Sequence, residues 1–437
     1  MRHACGVSAP GPELIVPREL VRATGRLAAA QIYVSASLPL NATVGAVAAK
    51  RLSGHEGLAG TSVGIAFLFS VLSLYIVSSI AQNLGRKPVL VAGLSLLALG
   101  ATICGFAIWI GSFALFIVGT AIFGSGQGPS TLGRAAAADL YPPALRGRGV
   151  GTVATAGAIG AVVGPLIAIA ATGSASALGI ARSAGPFLTV PLLGGVAVWL
   201  IASMRPDPRE VASDLRRWYR NLPPIPEPPP PRSRAQLLRL GPARAAITAT
   251  ALGQAAMVAV MAITSVELGD HGWSDWQVQL LMAAHFVGMF ALAYPVGLLA
   301  DRIGRRRTSL LGLGTCAVGA FGTALTGASP LITPFFFLLG LGWAGCFVAG
   351  TSILADITSA RERGVLTASN DLIVALCAAA ASLSAGVLLS GLGYWAVGLV
   401  FGVLLAIAVP GLLRLQEPTV GVYVETPAAE LAAGRTV

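Results

Sequence analysis

The residues able to do chemistry in this 437-residue chain are few, and they recur. Asp139 and Asp356 each close an apolar run, 217 positions apart, and each is followed by an Arg-Gly pair, Arg146-Gly147 and Arg363-Gly364. Gly85-Arg86-Lys87 and Gly304-Arg305-Arg306 stand 219 positions apart, and Asp301-Arg302 lies just ahead of the second. Carboxylates and guanidiniums at the ends of apolar stretches can form charge-assisted pairs that hold one helix end to another. Asp371 and His285 lie deeper, roughly 10 Å and 13 Å inside their runs at about 1.5 Å per residue. A charge at the centre of a membrane helix costs about 2.5–3.5 kcal/mol, so such groups usually face a cavity or a partner. The Asp371 carboxylate is the first candidate to bind and release a proton, and the His285 imidazole the second. The plainer alternatives are a packing polar group beside Asn370 and a neutral imidazole bonded between helices.

Positioning these groups requires elements that cross lipid. The chain is 55% hydrophobic and 11% charged, with a mean hydropathy of +0.78, and its apolar runs of about 20 residues are long enough to span a bilayer. Twelve spans are predicted, at 27–49, 57–80, 88–110, 112–135, 148–171, 184–204, 244–267, 277–299, 308–328, 331–354, 364–389 and 391–413. The net charge of +11 does not indicate nucleic acid, because the basic residues sit in short loops between apolar runs. With the N-terminus cytoplasmic, 26 of the 29 basic residues fall inside and only Lys50, Arg51 and Arg182 outside. The positive-inside rule therefore places both termini in the cytoplasm. No cleaved signal core is visible in Met1 to Arg26. The five cysteines have no metal or disulfide spacing and read as packing residues.

The stretch Tyr294-Pro-Val-Gly-Leu-Leu-Ala-Asp-Arg-Ile-Gly-Arg-Arg-Arg-Thr308 reads as a helix end, a tight turn and a helix start. It resembles the G-x-x-x-D-R-x-G-R-R/K loop between helices 8 and 9 of the major facilitator superfamily. A worn copy, Tyr75-Ile-Val-Ser-Ser-Ile-Ala-Gln-Asn-Leu-Gly-Arg-Lys87, precedes it by 219 positions, with Ser78, Gln82 and Asn83 where Gly, Asp and Arg are expected. Gly93 and Gly100 fall on Gly312 and Gly319 at the same offset. Motifs repeated at nearly one spacing indicate two homologous halves. The resemblance implies an all-α membrane protein with twelve transmembrane helices in two pseudo-symmetric six-helix bundles. It further implies that Asp139 pairs with Arg86 and Asp356 with Arg305 as cytoplasmic gates. Asp301, with Arg302 beside it, would then face the amino end of helix 5 near Gly147 to Val150.

The predicted organisation is a cytoplasmic N-terminus (1–26), an N-terminal bundle (27–204), a linker (205–243), a C-terminal bundle (244–415) and a disordered tail (416–437). Within the linker, Glu210 to Tyr219 can form an amphipathic helix with Val211, Leu215, Trp218 and Tyr219 on the membrane surface. Pro223 to Pro231 should be an extended spacer. Span 5 carries Gly151, Gly160 and Gly164-Pro165, which resembles the antiporter motif of proton-coupled exporters, without its trailing Gly-Gly. Gln31, Asn41, Gln127 and Gln254 are mid-span polar residues. In this superfamily helices 1, 4 and 7 line the central cavity, so the resemblance makes them candidate substrate contacts.

No nucleotide-binding loop, metal cluster or catalytic triad is assignable, so neither an enzyme nor a cofactor is expected. The sequence reading is a monomeric secondary transporter of the cytoplasmic (inner) membrane. Its partners would be a small-molecule substrate, protons and the lipid bilayer, with proton-coupled efflux of amphipathic molecules as its task. Metabolite uptake by symport, or a transport-dead sensor on the same fold, are the alternatives.

Overall fold

The computed structural model describes residues 15–142, 145–219, 231–359 and 362–416, the side chains of 78–83 excepted. Most of the proline-rich stretch, the tail beyond residue 416, the first fourteen residues and the side chains of Ser78, Gln82 and Asn83 lie outside that description. The membrane helices are α1 (Arg18–Ser53), α2 (Thr61–Leu84), α3 (Arg86–Ile110), α4 (Phe113–Ser130, resumed as Gly133–Asp139), α5 (Arg146–Ala177) and α6 (Ala184–Ala202). After the linker come α7 (Gly241–Asp270), α8 (Asp275–Ile303), α9 (Arg305–Thr326), α10 (Ile332–Asp356), α11 (Arg363–Leu392) and α12 (Tyr394–Leu413). Eleven of these are long and apolar enough to cross a membrane. The other, α4, is diluted by Gly124-Ser-Gly-Gln-Gly-Pro-Ser130 and is broken at Thr131-Leu132, where one continuous span had been expected. No strand occurs among the described residues.

The repeated sequence motifs become repeated geometry. Gly85 (φ +95°, ψ 173°) joins α2 to α3, and Gly304 (φ +97°, ψ 155°) joins α8 to α9. Only glycine tolerates that region without strain, which lets one residue reverse the chain between two long helices. Gly93 and Gly100 lie against α4 at Pro129 and Phe123, while Gly312 and Gly319 lie against α10 at Cys346 and Leu339. The same two-glycine stripe thus brings the third helix of each pattern onto the fourth.

One apolar core fills each bundle. The C-terminal core continues across the boundary onto Ala42, Ala46, Ala59, Val63 and Ala161 of the N-terminal bundle. The inter-bundle hydrogen bonds gather at the same end. Gln279 Nε2 donates to Thr43 Oγ1 (3.1 Å), Ser265 Oγ to the Thr43 carbonyl (3.1 Å) and Ser382 Oγ to the Gly60 carbonyl (2.9 Å). There too Lys50 pairs with Asp270 of the other bundle and with Glu56 (2.7 Å). At the opposite, Arg-rich end the bundles part. α8 packs on α5 through Asp275–Phe286, whereas its later part, Ala293–Ile303, packs on α9 and α10.

The linker departs from expectation. Instead of one amphipathic helix on the membrane it forms Pro208–Ser213 and Leu215–Trp218, broken at Asp214, whose side chain caps the second. Val211 and Tyr219 are buried in the N-terminal core rather than facing lipid, and Tyr219 Oη donates to the Leu140 carbonyl at 2.9 Å. Burial in this docked position raises the Tyr219 pKa, as loss of water disfavours the phenolate. The far end docks on the other bundle, with Leu237 packed in a cluster with Ile353, Leu354, Leu366 and Leu415. Arg232 clamps Glu362 there, Nε to Oε1 at 2.7 Å and Nη2 to Oε2 at 2.8 Å.

Candidate functional site

The charged groups at the Arg-rich end form two matched arrangements. Arg86 Nε donates to Asp139 Oδ2 at 2.9 Å. In the other bundle Arg305 Nε lies 3.2 Å from Asp356 Oδ2, close enough for an ion pair but not aligned as a hydrogen bond. Arg305 also reaches Asp301 Oδ1 at 3.2 Å through Nη2. Each pair ties the first residue of α3 or α9 to the last residue of α4 or α10, within a single bundle. Asp301 differs from expectation. It is 68% exposed and paired with Arg305 rather than set against the amino end of α5, because the bundles have separated there. Arg302 is exposed beside it.

The N-terminal turn lacks an acid at the position of Asp301, and the linker brings one. Asp207 Oδ2 accepts from the backbone N–H of Lys87 (3.2 Å), while its Oδ1 accepts from that of Arg209 (2.8 Å). The first turn of α3 has no cap of its own, so Asp207 supplies a capping carboxylate where the helix dipole favours negative charge.

The glycine pattern of α5 serves close packing on α1. A side chain at Gly160 or Gly164 would collide with the backbone at Ile32 or Ala36, whereas one at Gly151 would meet nothing within 4 Å. Pro165 is buried inside the helix one residue on.

Deeper in the molecule the candidate polar residues separate into different environments. Asn41 is committed to α2, accepting from Ser62 Oγ (2.6 Å) and donating to the Ser62 carbonyl (3.3 Å). Both its polar atoms are thus hydrogen-bonded within one bundle, near the sealed end. His285 is fully buried, its Nδ1 donating to the Phe336 carbonyl at 2.7 Å and its ring stacked on Phe336. Its Nε2 is enclosed and has no hydrogen-bond partner among the described residues, so His285 sits as a side chain bonded between helices. Gln31 Nε2 donates to Ser35 Oγ (3.1 Å) and shares a small hollow with Ser130 and Gly133. Gln127 is buried near the end of the first segment of α4, and the exposed Arg134 lies at the start of the second. Gln254 on α7 accepts from Trp343 Nε1 at 2.6 Å.

Asp371 is half-buried on α11, and Asn370 Nδ2 donates to its Oδ1 at 3.2 Å. Asn370 is itself held by Thr250 of α7 (2.8 Å). From the other bundle, Arg134 lies near enough for its charge to act on Asp371. Sequence reading counted Arg134 only among loop cations. Its usable signal was being the one basic residue inside the span drawn at 112–135.

Comparison with known proteins agrees with this architecture. The profile of the Major Facilitator Superfamily matches residues 27–274 and 245–432, one copy over each half. The chain belongs to the Major Facilitator Superfamily. It is a multi-pass membrane transporter, not an enzyme. Its relatives in this superfamily include the uncharacterized MFS-type transporter YdeG of Bacillus subtilis, 29% identical over 87% of this chain and 88% of that protein. The riboflavin transporter RfnT of Brucella anthropi is 27% identical over 89% of this chain and 95% of that one. Among solved structures, the partially occluded inward-open xylose transporter XylE of E. coli superposes with a TM-score of 0.70 at 14% identity, covering 93% of this chain and all of that one. That likeness establishes the shared fold.

Proposed function

We propose that this superfamily member is an alternating-access, proton-coupled antiporter that exports small amphipathic molecules, with its Arg-rich face in the cytoplasm. The observation that supports the reading is the contrast between the two ends. One is closed by bonds running between bundles, while toward the other the charge of Arg134 on one bundle acts on Asp371 of the other. Rocking the bundles would exchange these conditions, so a solute bound between them meets one side at a time. Asp371 is the proton carrier, because its carboxylate lies inside a span, has Asn370 as its one hydrogen-bond partner among the described residues, and feels the charge of Arg134 on the other bundle. A potential of about 100 mV supplies about 2.3 kcal/mol per charge moved, enough for a gradient near fifty-fold. Both bundles belong to one chain, so a monomer suffices.

A second reading, symport of a metabolite, is favoured by the relative named as a riboflavin transporter. Purified protein in proteoliposomes separates the two. Efflux predicts that an inward-directed proton gradient drives solute out, whereas symport predicts co-directional movement. Asp371→Asn should keep solute exchange between equal pools and lose gradient-driven accumulation. Full accumulation in that variant refutes the coupling role.

A further inference from the structure

The middle of the C-terminal bundle contains an aromatic wall that neither gating nor coupling uses. On α10, Gly342 and Gly345 lie against α9 at Cys316 and Gly312, Gly340 lies against His285 of α8, and Gly350 against Thr250 of α7. Three faces of α10 are thereby occupied. Trp343, Phe347 and Thr351, spaced by four, share the remaining stripe between α7 and α8, directed away from α9. Trp343 and Phe347 stack at 4.9 Å with an interplanar angle of 10°, and Phe290 of α8 meets Trp343 edge-on at 5.7 Å. Phe290 and Phe347 remain half-exposed.

Two further features mark this place. Helix α8 makes a π-helical turn over Val287–Ala291, which includes Phe290; such turns are rare and cluster at functional sites. Gln254 spends its Oε1 on Trp343, leaving the Nε2 amide donor with no hydrogen bond among the described residues. The partly exposed rings of Phe290 and Phe347, backed by the buried Trp343 and beside a fixed, unused amide donor, make a recognition surface for a flat molecule with an acceptor edge. At the corresponding places in the N-terminal bundle stand the polar Gln127 and Thr131, so the stacking surface belongs to one bundle only.

We propose that Phe290, Trp343, Phe347 and Gln254 form the binding platform for a planar heteroaromatic substrate, which stacks on the rings and accepts a hydrogen bond from the Gln254 amide. This rests on the transporter reading above and names the class of solute it carries. A flat ring system fits because both its faces are apolar while its edge requires donors, and stacking on an aromatic side chain is worth about 5-fold to 150-fold in affinity.

The test uses the full-length protein in nanodiscs and lumichrome, a neutral, fluorescent, planar three-ring heteroaromatic. Wild type should quench lumichrome saturably, and a panel of two- and three-ring planar heteroaromatics should compete while cyclohexyl amphiphiles of similar hydrophobicity do not. Phe347→Leu and Phe290→Leu, which keep an apolar side chain but no ring, should each weaken binding about tenfold. Trp343→Phe, which keeps a ring, should stay within about threefold, and Gln254→Leu should weaken only probes with an acceptor edge. Spin-label distances across the Arg-rich face, measured in parallel, report whether the bundles still rock. Saturable binding indifferent to ring loss, or no planar probe binding a protein whose bundles still move, overturns the platform and leaves the transporter reading standing. Bundles that never move overturn the transporter reading instead.

Discussion

Replacing Gly60 with alanine should unseal the closed end and shift the protein toward its other state. Gly60 precedes α2 and lies on the backbone of α11. An added Cβ would stand 2.8 Å from the Ser382 carbonyl carbon and 3.5 Å from the Gly386 nitrogen, with the Ser382 oxygen nearer still. Carbon atoms rest at about 3.5–4.0 Å, so the helices must separate, and overpacking of this kind costs about 1–3 kcal/mol. Separation also breaks the 2.9 Å bond from Ser382 Oγ to the Gly60 carbonyl, a loss of about 0.5–1.5 kcal/mol. The sum, about 1.5–4.5 kcal/mol, falls only on the state in which these helices touch, and corresponds to a population shift of roughly 12-fold to about 2,000-fold. Electron–electron distances between spin labels at Arg51→Cys and Asp275→Cys, both exposed at the sealed end, would read it as a new long-distance population. Gly173→Ala, with no neighbour within 4 Å of its added carbon, is the control. An unchanged distance distribution in folded Gly60→Ala would refute the claim that this contact holds the end closed.

Lys50→Met should loosen the same end far less, because Lys50 and Asp270 are partly solvated and such pairs are worth about 0.2–1 kcal/mol; the same spin labels would show at most a severalfold shift. Asp301→Asn should leave the thermal stability of the present state nearly unchanged, since Asp301 is exposed in it, yet strongly reduce proteoliposome transport. Gln82→Ala should have a mild effect, and equal losses in the two variants would refute the asymmetry. The Arg232 hydrogen bonds hold the Glu362 carboxylate near a pKa of about 2, against an ordinary 4.5, with Glu362 only 4% exposed. Its stabilisation, about 3 kcal/mol, is complete above pH 4.5 and disappears as pH falls toward 2. Melting curves of wild type and Glu362→Gln should therefore differ at pH 6 and converge across that interval.

The features legible in the sequence were those encoded twice or locally. Gly85 and Gly304 could be read as turns because each stands between apolar runs ahead of basic residues, and duplication made the Arg86–Asp139 and Arg305–Asp356 neighbourhoods visible. Hydrophobic length located the helices, but the ends of α1 ran past it, since Glu19, Arg22 and Lys50 remain helical outside the apolar stretch. The contacts that set the state of the molecule were illegible for a different reason. Lys50 meets Asp270, and Thr43 meets Gln279, across more than two hundred residues, and no local pattern specifies how two bundles face each other. The Trp343–Phe347 spacing of four was readable as a helical pair, but its exposed side depended on which faces of α10 the glycines had already occupied.

Asp207 has a consequence for where the protein divides. Seen as a duplicated gene product, each half should end with its sixth membrane helix, at Ala202 for the first. Yet the first half borrows the carboxylate over its Gly85 turn from beyond that point, and Val211 and Tyr219 fill its core from farther on. Arg232 and Leu237 belong just as firmly to the second half. These contacts favour a division after Tyr219 and before Arg232. A split transporter, a chimaera or an inserted reporter that respects it keeps both halves whole, while a cut at the lipid boundary leaves the first half without its cap.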